Sequence, residues 1–195
     1  MKTVLAVIIL SLSCSAASAS NNNLITNVDG RSANSLDGKW QVIIDPYESG
    51  YYDYRHHPTG NGYFKNAKPK SGSDLIEYSF DSSETLNVPG DWNSQSEKLL
   101  FYEGTIWYKK DFDYKKKPAT RAFLYFGAAN YEAIVFLNGE KIGEHLGGFT
   151  PFNFEITDKV RDGSNFVIVK VDNKRYRDGV PALSTDWWNY GGLTR

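Results

Sequence analysis

The chain has 195 residues, with 22 basic and 23 acidic side chains and a formal net charge of −1. Neither sign is in surplus to grip phosphate backbones or anionic lipid, so no nucleic-acid partner is expected. Aromatic residues reach 15%, with 13 Tyr, 11 Phe and 5 Trp beside 17 Gly, a mixture that suits strands and ordered loops better than helices.

The first nineteen residues differ from the rest. Lys2 supplies a positive start, Val4 to Leu12 is almost wholly apolar, and Ala17-Ser18-Ala19 is a small-x-small cleavage site. Together they predict a signal peptide over residues 1–19 and export to a periplasmic or extracellular space. The apolar run is too short for a permanent span, and nothing later approaches the roughly 18 to 20 apolar residues needed, so no transmembrane segment is expected. Cys14, the only cysteine, falls inside this segment. Cleavage would leave no thiol, and the fold would rest on its core alone. A second reading makes Cys14 a lipid-anchored N-terminus after Leu12-Ser13, although Ser11 stands where such sites usually carry Leu.

A polar leader, residues 20–35, precedes Leu36-Asp37-Gly38, which turns the chain into a first strand, Lys39 to Asp45, closed by Pro46. The stretch between Pro46 and Asp74 is long for a connection inside a domain, and such loops are usually functional or else disordered. Its aromatics Tyr47, Tyr51, Tyr52, Tyr54, Tyr63 and Phe64 argue against disorder. Further strands are predicted at Glu84–Val88, Thr105–Phe112 with Ile106 and Tyr108 on one face, and Arg121–Phe126. Glu132–Leu137 and Glu140–Gly143 flank Asn138-Gly139, a pair that tolerates positive φ and marks a hairpin. Phe152–Ile156 alternates, and Asn165–Asp172 sets Val167, Val169 and Val171 on one face.

These features predict an all-β fold, a jelly-roll β-sandwich of the galactose-binding-like kind, with about eight or more short antiparallel strands in two sheets that each bury one face. The expected core is Trp40, Phe123, Val135, Leu137, Phe154, Ile156, Val167, Val169 and Val171. His56-His57 and His145 do not make a legible metal site, because adjacent histidines in one loop project differently and further converging ligands are needed. With no Walker loop, dinucleotide fingerprint or Gly-x-Ser-x-Gly elbow, no cofactor is expected.

The segment Tyr125 to Ala133, Val135-Phe136-Leu137-Asn138-Gly139 and His145-Leu146-Gly147-Gly148-Phe149-Thr150-Pro151-Phe152 resembles the sugar-binding domain of family 2 glycoside hydrolases, which include β-glucuronidases and β-galactosidases. Thr185-Asp186-Trp187-Trp188-Asn189-Tyr190-Gly191-Gly192-Leu193-Thr194-Arg195 is similar to the segment closing that domain. With Val88 to Asn93 and Tyr102 to Tyr108, the similarity spans residues 36–195. The resemblance implies that Asp186 contacts the sugar, with Trp187, Trp188, Asn189 and Tyr190 beside it. A carboxylate next to wide aromatic faces suits hydroxyls and ring C–H groups; a purely structural role for Asp186 is the alternative. Gly147-Gly148 reads as a corner where the backbone turns sharply.

Retaining glycosidases use two carboxylates about 5 to 5.5 Å apart. In this family the resemblance puts them in a (β/α)₈ barrel after an immunoglobulin-like domain, with the acid/base glutamate following an asparagine. The chain contains no Asn-Glu pair and no alternating βαβ pattern, so no catalytic residue is assigned and the chain alone is expected to be inactive. The expected function is the carbohydrate-binding N-terminal domain of a secreted retaining β-glycosidase, truncated before its catalytic barrel. Its partners would be a terminal β-glycoside and the missing catalytic domains or a second copy. Glu144 to Gly148 together with Asp186 tilts this toward the β-glucuronidase branch. The alternatives are a free-standing sugar-binding module and a structural interaction domain.

Overall fold

The structure, a computed structural model, describes residues 23–59, 71–73 and 78–195. The expected signal peptide and Cys14 lie outside them, as do Tyr63 and Phe64 of the long loop. Eleven strands follow in chain order: β1 (Gly38–Asp45), β2 (Glu84–Val88), β3 (Gly90–Asp91), β4 (Thr105–Tyr114), β5 (Phe123–Phe126), β6 (Ala129–Asn130), β7 (Glu132–Leu137), β8 (Glu140–Leu146), β9 (Phe152–Glu155), β10 (Gly163–Asp172) and β11 (Gly192–Leu193). Two single 3₁₀ turns, Phe80–Ser82 and Glu97–Leu99, are the helical elements among the described residues.

A six-stranded sheet runs β2-β1-β4-β10-β7-β8, a three-stranded one β3-β11-β6, and a two-stranded one β5-β9. Every ladder is antiparallel. The β7–β8 hairpin turns on Asn138 (φ 53°) and Gly139 (φ 90°), the positive-φ pair that a tight two-residue connection demands. The main core fills the space between the sheets. Trp40, Val42, Ile106, Tyr108, Val135, Val167, Val169 and Val171 from the large sheet meet Leu124, Phe126, Phe152, Phe154 and Leu193 from the smaller ones. The molecule is thus the expected all-β sandwich. Phe123 is a correction: it is only half-buried, under the Arg121 guanidinium 4.9 Å from its ring. Alternation along β5 sends Leu124 and Phe126 inward, so Phe123 shares the outer side with Arg121 and Tyr125.

The large sheet departs from the expectation in a second way, because it buries both faces. Ile43, Phe80, Trp107, Ile134, Phe136 and Ile168 form a separate cluster on its outer side, with Tyr51, Tyr78 and Phe166 packed against them. The segment after β1 lies over this face and is tied down by buried charge. Asp45 accepts from Ser49 N at 2.9 Å, Gly50 N at 3.1 Å and Trp107 Nε1 at 2.9 Å. Glu48 pairs with Lys170 at 2.8 Å and Lys174 at 2.9 Å, and the Lys170 side chain is only 3% exposed. The strands therefore read as near-continuous apolar runs rather than strict alternation.

Candidate functional site

The β1 and β10 C-termini, the β4 and β7 N-termini and the end of β8 all meet at one end of the large sheet, as the pairings Asp45↔Thr105, Asp172↔Thr105, Asp172↔Glu132 and Glu132↔Leu146 require. Over this end runs the closing segment, residues 173–191, which has almost no regular ladder of its own. Buried asparagines hold it. Asn173 accepts from Gly104 N at 2.8 Å and donates to Asn189 O at 2.6 Å. Asn189 donates to Asn173 O at 2.5 Å and accepts from Asn130 Nδ2 at 2.7 Å. Asn130 also donates to Tyr190 O, and Asn93 accepts from Gly191 N at 2.9 Å. Gly191 lies so close to the Trp92 ring that a Cβ would enter it. Buried amides of this kind supply the donors and acceptors that a strand ladder would otherwise provide.

The five expected sugar-site residues divide between surface and interior. Asp186 is exposed and makes no hydrogen bond or ion pair among the described residues. Trp187 is 60% and Tyr190 51% exposed. Trp188 is half-buried, edge-on to Phe101 at 5.5 Å, with the Arg175 guanidinium 5.8 Å from its ring. Arg175 in turn pairs with Glu103 at 2.9 Å. Asn189 departs from the expectation: at 2% exposure its side chain is inside the domain, with donor and acceptor both engaged. It fixes the loop that carries Asp186 and does not offer its amide to a ligand. Asn93 and Asn130 fall inside segments that carry the family resemblance but have no role in that reading, and Asn173 lies outside them; an amide next to an aromatic or charged run is equally the signature of a surface turn.

A cleft of about 420 Å³ opens beside this segment, lined by Tyr131, Glu132, Glu144, His145, Leu146, Tyr176, Asp178 and Gly179. Burial pushes the Glu132 carboxyl above its ordinary range, Lys170 opposing only in part. Burial also lowers the His145 imidazole, against the bond it makes to Gly147 O at 3.1 Å, and raises the Tyr176 hydroxyl to about 12. The Gly147-Gly148 corner is structural: Gly147 has φ 130°, and a Cβ on Gly148 would enter Asn130 Oδ1.

The family model for glycosyl hydrolases family 2, sugar binding domain, matches residues 33–195. The chain belongs to this family. Its sequence is 31% identical over 116 residues to a putative β-glucuronidase of Formosa agariphila, covering 57% of this chain and 14% of that protein. It is 26% identical over 194 residues to the β-glucuronidase of Canis lupus familiaris, covering 85% of this chain and 28% of the other. Among solved structures, a Ruminococcus gnavus β-glucuronidase in complex with D-glucaro-δ-lactam superposes with a TM-score of 0.63 at 25% identity, over 82% of this chain and 27% of that one. The family 2 sugar-binding domain thus spans less than a third of the length of these relatives. Among its described residues no group of three or more His, Cys, Asp or Glu converges as a metal site, and no helix is long and apolar enough to cross a membrane.

Proposed function

We propose that this domain serves an exported, retaining β-glycosidase of the β-glucuronidase or β-galactosidase type, presenting Asp186 and the Trp187 indole to a terminal β-glycoside. The observation that carries this reading is an exposed carboxylate beside an exposed indole, on a loop fixed from within by Asn189. Its carboxylate can accept two sugar hydroxyls and its neighbour offers an apolar face for ring C–H groups. The acid/base and nucleophile would come from a catalytic barrel. Leu100, Phe101, Val180 and Leu183, all exposed, give apolar surface on which such a module would pack. Export rests on the leader over residues 1–19.

The test joins this domain to a family 2 barrel module and compares the parent with Asp186→Ala. Losing a charged acceptor of about 1.5 to 3 kcal/mol predicts a fall in kcat/KM of roughly 10- to 150-fold with an unchanged melting temperature. An unchanged kcat/KM removes Asp186 from the site. Residues 20–195 alone are expected to release no chromophore from nitrophenyl β-glucuronide or β-galactoside. Turnover that survives purification, and is abolished by neutralising one acidic residue of this chain, would show that the chain carries its own catalysis.

A further inference from the structure

We propose that the cleft between the β7–β8 end and the closing segment is a second carbohydrate subsite, taking a sugar ring that bears no negative charge. The inference rests on the sugar-binding reading above and extends it to a different set of residues. Tyr131 and Tyr176 form a tilted aromatic pair, with ring centroids 6.5 Å apart, and Tyr176 is 40% exposed. Around them stand three carboxylates, Glu132, Glu144 and Asp178. A carboxylate accepts hydroxyl protons, a phenol donates or accepts, and an aromatic face receives the apolar side of a pyranose ring. The volume, about 420 Å³, falls in the lower part of the range of roughly 300 to 1,000 Å³ that small-molecule sites occupy.

Two competing ligand classes fit less well. A metal ion needs donors that converge on one point, and no such group occurs among the described residues; acceptors dispersed around a cavity instead match hydroxyls dispersed around a ring. A uronate or other anionic sugar would meet three carboxylates. Lys141 is engaged with Glu144 at 2.8 Å and Lys170 with Glu48 at 2.8 Å, and Arg177, exposed between Tyr176 and Asp178 in the chain, is not among the lining residues. The charge thus separates this cleft from any pocket for a glucuronate carboxyl.

The walls are held in place. The His145 ring stacks on Phe152 at 4.1 Å, and its Nε2 lies 3.1 Å from Gly147 O and 3.3 Å from Thr150 Oγ1. Gly147 N donates to Tyr131 O at 3.0 Å and Gly179 N to Tyr176 O at 3.2 Å. Tyr176 bridges to Ala182, Thr185 N donates to Ala182 O at 3.1 Å, and Arg175 donates to Thr185 O at 3.4 Å. One loop therefore supplies both Asp186 and the Tyr176–Gly179 wall.

The experiment is a heteronuclear NMR titration of ¹⁵N-labelled residues 20–195 with methyl β-galactoside, methyl β-N-acetylglucosaminide and methyl β-glucuronide. The expected result is saturable shifts at residues 131–132, 144–146 and 176–179 with one or both uncharged glycosides, and none there with the glucuronide. Glu144→Ala, an exposed position on β8, should weaken that binding about tenfold or more. Tyr176→Ala should weaken it about fivefold, and Tyr176→Phe, which keeps the ring, should retain most of it. Shifts confined to residues 185–190 would overturn the second subsite while leaving the Asp186 reading intact. Equal binding of glucuronide in the cleft, or uncharged-sugar binding there unaffected by Glu144→Ala and Tyr176→Ala, would also overturn it. Shifts in the cleft with none at 185–190 support the subsite and count against Asp186 instead.

Discussion

Asn189→Ala should cost the domain more stability than any substitution at the exposed residues around it. The Asn189 amide donates to Asn173 O at 2.5 Å and accepts from Asn130 Nδ2 at 2.7 Å, in a position 2% exposed. Alanine leaves Asn173 O without its side-chain donor and Asn130 Nδ2 with Tyr190 O as its remaining acceptor. An orphaned buried polar group costs about 1 to 3 kcal/mol, and a half-satisfied one adds a smaller amount, so the sum is about 2 to 4 kcal/mol. At about 3 °C per kcal/mol for a domain of this size, the melting temperature falls by roughly 6 to 12 °C. Asp186→Ala, three residues away and exposed, should change stability by no more than about 0.5 kcal/mol. Circular dichroism melts of residues 20–195 in parent, Asn189→Ala and Asp186→Ala forms measure both. Asn189→Asp adds a signed control. It sets a carboxylate oxygen against Asn173 O in the interior, so its folded-state pKa rises; the charge penalty is complete above that raised value, eases as pH falls from it toward the unfolded value of about 4, and is gone below that. An Asn189→Ala melt within 1 °C of the parent would refute the amide clamp and with it the account of how Asp186 is positioned.

Glu48→Gln should destabilise by about 3 kcal/mol or more, because it leaves the buried Lys170 ammonium without its counter-charge; chemical denaturation measures it. The exposed pair of Glu155 with Arg121 serves as contrast, and Glu155→Gln should leave the same curve nearly unchanged. Gly191→Ala forces a methyl into the Trp92 ring, which is fully buried, and should cost about 1 to 3 kcal/mol by overpacking. It should also alter Trp92 fluorescence, whereas Gly163→Ala, with open space around it at φ 85°, should leave that fluorescence unchanged.

The strands were legible where one local signal sufficed. Glu84–Val88 and Glu132–Leu137 have the bounds that alternation and turn residues predict, and the hairpin follows from Asn138-Gly139. Local pattern could not show the two-residue strands β3, β6 and β11, because two residues have no period; they form where the closing segment threads between distant partners, as in Gly192↔Asp91 and Gly192↔Asn130. Nor could it show that Trp107, Ile134 and Ile168 face a second core, since their cover comes from a loop whose period is irregular. Phe123 failed by parity alone. At the site, the motif located the aromatic, carboxylate-bearing loop, but Asn189 and its neighbours are alike in sequence and opposite in burial, and only long-range partners such as Asn130 decide that. The cleft was not legible for a related reason: Tyr131, Glu132, Glu144, His145 and Leu146 lie in segments that carry the family resemblance, but no local pattern brings them to Tyr176, Asp178 and Gly179, at least thirty residues further along the chain.

The two loops over the sheet end are held by chemically different clamps, and acid should separate them. The 46–59 segment is fastened through Glu48, whose carboxyl burial pushes up but whose bonds to Lys170 and Lys174 outweigh that and hold it down at about 2. A depressed folded-state value means that its contribution is complete above the unfolded value near 4.5 and is lost as pH falls from there toward 2. The closing segment is fastened by the amides of Asn93, Asn130, Asn173 and Asn189, which do not titrate in that range. Between pH 5 and 3 the amides of Ser49 to Tyr52 should therefore lose hydrogen-exchange protection, corrected for intrinsic rate, while Tyr190 to Leu193 keep theirs. Local opening of this kind is what exchange measures residue by residue. Loss at both segments in step would mean that they form one cooperative unit, with Lys174, which touches Glu48 and follows directly on Asn173 in the chain, as the joint between them.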